Sequence, residues 1–255
     1  MKLPIFGQSQ DEVKELTPPG SLAVNEIFYS LQGEGKYSGY PMVFIRLNIC
    51  HVGCRFCDTK YSWQTLTHNV YYDAATILAK VKECSEKCNR VCITGGEPFE
   101  QAEALLEVCK YLKAHGLKVH IETSGNVLID KEFREYCHWI TCSPKKFYPP
   151  NFESPIDEIK FLVVASADLA KIRNWIGTFK RKVWVSIQPI EPNPPEFGNP
   201  DGLNEEELIE LKVQQINARF AEADVWEKNK NRAVEICLQT GWQLSFQTHK
   251  YFRIR

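Results

Sequence analysis

No charge of one sign dominates this chain, since 31 lysines and arginines face 32 acids and leave a formal net charge of -1. A balanced surface has no global field to draw the protein to nucleic acid or an anionic membrane, and a small neutral or anionic substrate stays open. Long apolar runs are missing too. Nothing approaches the roughly 20 residues that span a bilayer, and even Met42 to Cys50 is interrupted by Arg46 and Asn48. The ten cysteines are too dilute for a disulfide scaffold, and Met1 to Gln10 holds no apolar stretch ahead of Asp11, Glu12 and Glu15. A soluble protein of the reducing cytoplasm is expected. There is no internal repeat and no low-complexity tract. At 255 residues the chain can bury a substantial core, as one large domain rather than two small ones.

What is present alternates. Apolar or β-branched runs at Pro41–Leu47, Val91–Thr94, Leu117–Ile121, Trp139–Cys142, Glu158–Val164 and Lys182–Ile187 predict strands. Helical patterns at Tyr72–Lys82, Glu100–Ala114, Asp130–Tyr136 and Ala167–Phe179 lie between them, the second closing at Gly116 as a C′ glycine would. This order predicts βα units and a mostly parallel sheet. Residues 1–22, with Pro4, Pro18, Pro19 and Gly20, read as an N-terminal extension without chemistry, so the core domain is expected over 23–255. Glu191–Gly202, with four prolines, reads as a linker or lid. Asn204 and Glu207 then form an N-x-x-E cap for a long helix toward Leu238, Gly241 stops it, and Trp242–Phe246 reads as a short closing strand.

Polar, glycine-rich clusters follow the strands: Cys50–Thr59, Gly95-Gly96-Glu97-Pro98, Glu122-Thr123-Ser124-Gly125, Ser143-Pro144-Lys145 and Gln188-Pro189. In a parallel sheet or barrel these ends share one edge, where α/β enzymes assemble their sites.

Cys50-x3-Cys54-x2-Cys57 places three thiols in one short loop, with Gly53 allowing a tight backbone. Thiolates select zinc, copper(I) or iron-sulfur clusters. A closed zinc site wants four ligands, whereas three cysteines on a cubane leave one iron open to a substrate or cofactor. His51 directly follows Cys50 and is poorly placed to turn its ring toward the same centre. A structural zinc, or plain burial of the thiols, is the alternative. Cys84, Cys88 and Cys92 are spaced by four, but the last falls in a strand; they read as packing residues, as do Cys109, Cys137, Cys142 and Cys237. Glu205, Glu206 and Glu207 suit a first helical turn, and Trp175 and Trp184 read as core or interface aromatics.

The cysteine loop after a first strand, Phe56 before its last cysteine, and Gly-Gly-Glu-Pro after the second strand together resemble the radical S-adenosylmethionine superfamily. Phe28-Tyr29-Ser30-Leu31-Gln32-Gly33-Glu34-Gly35, Gly39-Tyr40-Pro41, Phe44-Ile45-Arg46-Leu47, Cys57-Asp58-Thr59 and Gln247-Thr248-His249-Lys250-Tyr251 narrow the resemblance to the 7-carboxy-7-deazaguanine synthase family, over about residues 23 to 255. The resemblance implies an α/β fold of the incomplete TIM-type βα barrel kind, and a lyase that turns 6-carboxy-5,6,7,8-tetrahydropterin into 7-carboxy-7-deazaguanine with loss of ammonia, on the route to queuosine and related deazapurines.

It further implies a [4Fe-4S] cluster on Cys50, Cys54 and Cys57, whose open iron chelates S-adenosylmethionine and whose reduced form cleaves it to a 5′-deoxyadenosyl radical, the cofactor being regenerated. Phe56, Cys57, Asp58 and the Gly95-Gly96 backbone would border that cofactor, with Ser143, Pro144, Lys145 and Gln188 holding its ribose and methionine parts. Leu31, Gln32, Gly33, Glu34, Arg46, Thr94, His249 and the terminal carboxylate of Arg255 would contact the substrate, although an arginine is not the residue expected at that end. Thr59 would bind magnesium. A flavodoxin or ferredoxin as electron donor and a homodimer belong to the same implication, with no nucleic acid or membrane partner. An activase acting on a partner protein's glycine, and a noncatalytic metal-binding or electron-transfer module, are the competing readings.

Overall fold

Among the described residues nine strands build one sheet: β1 (Ser21–Leu31), β2 (Pro41–Leu47), β3 (Val70–Asp73), β4 (Arg90–Gly95), β5 (Lys118–Thr123), β6 (Trp139–Cys142), β7 (Glu158–Val163), β8 (Trp184–Pro189) and β9 (Gln243–Leu244). The computed structural model describes residues 17–54, 56–63, 70–147, 155–192 and 205–254. The sheet order is β3-β1-β2-β4-β5-β6-β7-β8-β9. From β2 onward every neighbouring pair is parallel, while β1 pairs antiparallel with both β2 and β3. The sheet ends at β3 and β9 instead of closing, which is the incomplete βα barrel expected.

Helices α1 (Ala74–Cys84), α2 (Ala102–Ala114), α3 (Phe133–Tyr136) and α4 (Leu169–Gly177) follow strands, α5 (Glu205–Thr240) precedes β9, and α6 (Thr248–Phe252) lies near the chain's end. Ile77, Leu78 and Val81 of α1, Leu105, Val108 and Leu112 of α2, and Leu169, Ile172 and Trp175 of α4 join one core with Val43, Ile45, Val91, Ile93, Val119, Ile121, Ile159 and Ile187 from the strands. The opposite faces of the strands turn inward and carry the polar residues. β7 shows the two-residue period plainly: Ile159, Phe161 and Val163 enter the core, and Glu158, Lys160 and Leu162 line the interior.

All six sequence-predicted strands are present, and the closing strand is β9. The sequence reading missed β1 and β3. In β1 a register shift between Val24 and Glu26 breaks the alternation that would betray a strand. Its first residue, Ser21, falls on the N-terminal side of the expected boundary at 22. Tyr72 belongs to β3 and not to the helix, because the Asp73 carboxylate accepts from Thr76 N at 2.8 Å and caps α1 there. Asp168 caps α4 in the same way. The segment predicted as helical from Glu100 opens as a 3₁₀ turn, Pro98–Gln101.

Residues 1–16, the greater part of the proposed lid (193–202), Asn204 and Arg255 lie outside the described residues. Cys92, Cys109, Cys137 and Cys142 are buried, in keeping with packing. No helix among the described residues is long and apolar enough to cross a membrane.

Candidate active site

The chain enters the cysteine loop under constraint. Ile49 adopts a φ of 74°, a left-handed conformation unfavourable for a β-branched residue. Gly96 N donates to Leu47 O at 2.8 Å and Glu97 N to Ile49 O at 2.9 Å, fastening the glycine turn after β4 to this segment. A side chain at Gly96 would come within 2.7 Å of Asn48 O and closer still to Ile49 O, and one at Gly95 would meet the Leu47 backbone at 2.5 Å. Both glycines are therefore required by the approach of the cysteine-bearing backbone.

The turn Pro98–Gln101 and the acid before it reach three neighbours. Glu97, almost fully buried, accepts from Thr123 Oγ1 at 2.6 Å, from Ser124 N at 2.9 Å and from Ser124 Oγ at 2.5 Å. Burial raises its pKa, and these hydrogen bonds oppose the rise. Glu100 accepts from His51 N at 2.9 Å and lies 2.6 Å from His51 Nδ1. Gln101 accepts from Ala23 N at 2.7 Å and donates to Asn48 O at 3.2 Å. His51 thus faces Glu100 and does not line the cavity the three cysteines border.

Cys50, Cys54 and Cys57 border one cavity of about 270 Å³ at the C-terminal ends of the parallel strands. Among the described residues no three His, Cys, Asp or Glu side chains gather round a single metal position. A cubane does not ask for that, because each thiolate binds a different iron corner, and three thiols facing one space fit it. Burial pushes the Cys50 thiol up to about 12, with Glu100 and Glu97 adding to the rise, and it raises Cys54 against the pull of Lys145. Such thiols stay protonated until a cation displaces the proton, as metal-cluster ligands do.

The same cavity gathers the other predicted residues: Leu31, Gln32, Gly33, Glu34, Arg46, Phe56, Asp58, Thr59, Thr94, Gly96, Ser143, Lys145, Gln188 and His249 all line it. Pro144 does not. Arg46 is no solvated strand arginine: its Nε donates to Glu26 Oε1 at 2.8 Å and its guanidinium sits 5.5 Å from the Phe28 ring centroid. Thr59 Oγ1 lies 3.5 Å from Cys57 Sγ, and Lys145 Nζ lies 5.4 Å from the Phe56 ring centroid. Gln188 accepts from Ser245 Oγ at 2.9 Å.

Glu122, Lys160 and Gln247 also line the wall; the sequence reading had Glu122 and Gln247 in the segments it singled out but gave none of the three a contact. Glu122 accepts from Gln32 Nε2 at 3.0 Å and from Thr94 Oγ1 at 3.1 Å. Lys160 is ion-paired with Glu34, and the alternation of β7 was the signal that could have placed it inside. Gln247 Nε2 bridges Glu34 at 2.8 Å and Asp58 at 3.0 Å. The C-terminal segment is anchored beside it, where Thr248 N and Oγ1 both donate to Gly33 O, at 3.1 and 3.0 Å. The His249 ring occupies the space a side chain at Gly33 would need.

Comparison with known proteins agrees with this geometry. The family model of the Radical SAM superfamily matches residues 44–181. The 7-carboxy-7-deazaguanine synthase of Buchnera aphidicola subsp. Schizaphis graminum is 31% identical over 254 residues, covering 91% of this chain and 98% of that one. Its namesake from Synechocystis is 33% identical over 238 residues, covering 92% and 94%, and that of Escherichia coli K12 is 30% identical over 259 residues, covering 91% and 98%. The crystal structure of QueE from Escherichia coli shares the fold, with a TM-score of 0.64 at 24% identity over 94% of this chain and 98% of that one.

Proposed function

The chain belongs to the 7-carboxy-7-deazaguanine synthase family of the radical SAM superfamily, and from that premise we propose that it converts 6-carboxy-5,6,7,8-tetrahydropterin to 7-carboxy-7-deazaguanine with loss of ammonia. The observation that carries this reading is one cavity with three cysteine thiols on one side and the hydrogen-bonded acceptor group of Gln32, Thr94 and Glu122 on another. Membership implies a [4Fe-4S] cluster and S-adenosylmethionine, which together supply the radical that a ring contraction demands. Cys50, Cys54 and Cys57 would hold the cluster. Phe56, Cys57, Asp58, Gly96, Ser143, Pro144, Lys145 and Gln188 would border the cofactor, a reading supported by the lining of the cavity by all of them but Pro144.

The substrate's aminopyrimidinone edge suits Gln32, Glu34 and Glu122, which offer acceptors to its N–H groups. Its carboxylate suits Arg46, whose Nε is held by Glu26 and whose terminal nitrogens then serve as the fork. Thr59 is proposed as a magnesium ligand, a hard oxygen acting with the substrate carboxylate and waters. His249 and the segment around it close the cavity against bulk water. The terminal carboxylate of Arg255 is proposed to add to that closure.

A flavodoxin or ferredoxin as electron donor, a cytoplasmic location and a homodimer complete the proposal. The dimer is supported by Ile209, Val213 and Phe220, exposed on the half of α5 that lies beyond its buried residues Asn229, Ala233 and Ile236. No observation favours the activase or the noncatalytic module.

Anaerobically reconstituted protein, given reductant, magnesium, S-adenosylmethionine and the carboxytetrahydropterin, is expected to form the deazapurine, seen by mass, with the cofactor intact, and to lose this activity in Cys54→Ala. Cofactor cleavage with the pterin untouched would remove the substrate assignment.

A further inference from the structure

Lys160 is the anomaly of the interior. It is 4% exposed, on the inward face of β7, and nothing in the family resemblance assigns it a role. A buried ammonium is unfavourable unless paired. Lys160 has its ion pair with Glu34, and the charges of Glu122 and Glu158 act on it as well.

The three acids differ in what else they do. Glu158 is saturated inside the sheet, accepting from Lys36 N at 3.0 Å, Trp139 Nε1 at 3.1 Å, Thr141 Oγ1 at 3.1 Å and Ser186 Oγ at 2.5 Å. Glu34 and Glu122 line the cavity with Lys160 itself. Both are oriented by donors from other elements, Glu34 by Gln247 from the C-terminal segment and Glu122 by Gln32 and Thr94.

We propose that Lys160 is a positioning residue that sets substrate class, holding Glu34 so that it and Glu122, itself aimed by Gln32 and Thr94, form two acceptors for a planar ligand whose edge carries several N–H donors. This rests on the proposed function, whose substrate has such an edge. The chemistry is direct: an ionised carboxylate only accepts, whereas a protonated one donates and would pair with the wrong edge. Burial alone would raise the Glu34 pKa, but the charge and hydrogen bond of Lys160, then the hydrogen bond of Gln247 and the charge of His249, outweigh it and hold the group at about 2. With Lys160 gone, Gln247 and His249 are the only favourable neighbours left from that set, and burial would raise the acid's pKa and favour its protonated form.

The test measures binding of the carboxytetrahydropterin, and of its analogue lacking the 2-amino group, to the oxidised holoenzyme with S-adenosylmethionine and no reductant, so that nothing turns over. In the wild type Kd is expected to be flat from pH 6 to 8, as for a carboxylate ionised throughout. In Lys160→Met it should weaken at least tenfold at pH 6 and tighten about tenfold per unit of rising pH until Glu34 ionises. Discrimination against the analogue should collapse at the acidic end. A Lys160→Met protein with wild-type Kd and a flat profile overturns the inference.

If that variant does not fold, Lys160→Met/Glu34→Gln, which leaves no charge unpaired at Glu34, decides the matter. It should lose the discrimination at every pH, and wild-type discrimination would overturn the inference. A wild type that ignores the pterin removes the proposed function together with this inference, whereas a wild type that binds it beside unaffected variants removes the inference alone.

Discussion

At Gly96 and Gly33 the missing side chain makes room for different neighbours, backbone in one case and a ring in the other. Gly96→Ala would push on the Asn48–Ile49 backbone, which carries Cys50 and already holds Ile49 in a left-handed conformation. Overpacking of this kind destabilises by ~1–3 kcal/mol, and the strain falls on the cysteine loop. Gly96→Ala protein purified without oxygen should hold less than half the wild-type iron by metal analysis. Gly33→Ala meets the His249 side chain, with Cγ at 2.9 Å, and a ring can swing aside. Its iron content should match the wild type while KM for the pterin rises about tenfold, the larger effect expected of a displaced closing segment. Equal loss of iron in both variants would contradict this separation.

His120 gives a second expectation at this scale. It is buried, with no hydrogen-bond partner for Nε2 among the described residues. Burial first, and then the positive charges of His138, Arg90 and Lys118, lower its pKa to about 3. The unfolded chain therefore binds a proton at this residue near pH 6.5 that the folded protein refuses until about 3. Its contribution is complete above 6.5 and declines as the pH falls toward 3, by at most ~1.4 kcal/mol per unit. Urea unfolding at pH 7.5, 6 and 5 should show this decline in the wild type and a shallower one in His120→Phe. Parallel curves would refute the assignment.

The element of most consequence is the short turn Pro98–Gln101 with Glu97 before it. Glu97 holds the loop after β5, Glu100 holds His51, and Gln101 holds β1 and the carbonyl of Asn48. The cysteine loop, the glycine turn and the antiparallel edge of the sheet are thus fastened at one place. Glu100→Ala removes both contacts to His51 and leaves its N–H to find another acceptor, a local loss of ~1–3 kcal/mol. Iron should be stripped by a chelator several times faster than from the wild type, with the urea midpoint of the sheet changed much less. Unaltered chelation kinetics would show that Glu100 does not hold the loop. In the sequence Glu100 looked like an ordinary helix start, because a carboxylate's partner 49 residues away has no local signature.

For the whole molecule, the open edges of the sheet and the long α5 decide how it meets its surroundings. Beyond Asn229 the helix packs on β8 and the core, while Ile209, Val213 and Phe220 project from the other half at helical spacing. If a second copy covers this stripe, Phe220→Glu should sediment as a monomer where the wild type sediments as a dimer, with the iron content unchanged. A monomeric wild type would sink that arrangement.

The order of the parallel strands and of the helices between them, the cysteine loop and the polar clusters after those strands were determined by the sequence alone, because each rests on periodicity or on spacing within a few residues; β1 and β3, joined to them antiparallel, were not. The polar clusters of the cavity wall were legible for the same reason, since residues at the C-terminal ends of parallel strands share one edge whatever the packing detail, whereas Leu31, Gln32, Gly33, Glu34, Arg46 and His249 came from the family resemblance. Tertiary structure alone decided which side chains face each other across that edge. Gln32 meets Glu122 across 90 positions, Lys160 meets Glu34 across 126 and Gln247 meets Glu34 across 213. A buried charge is tolerated only with its partner in place, and that partner is supplied by the closing of the fold, not by any neighbour along the chain.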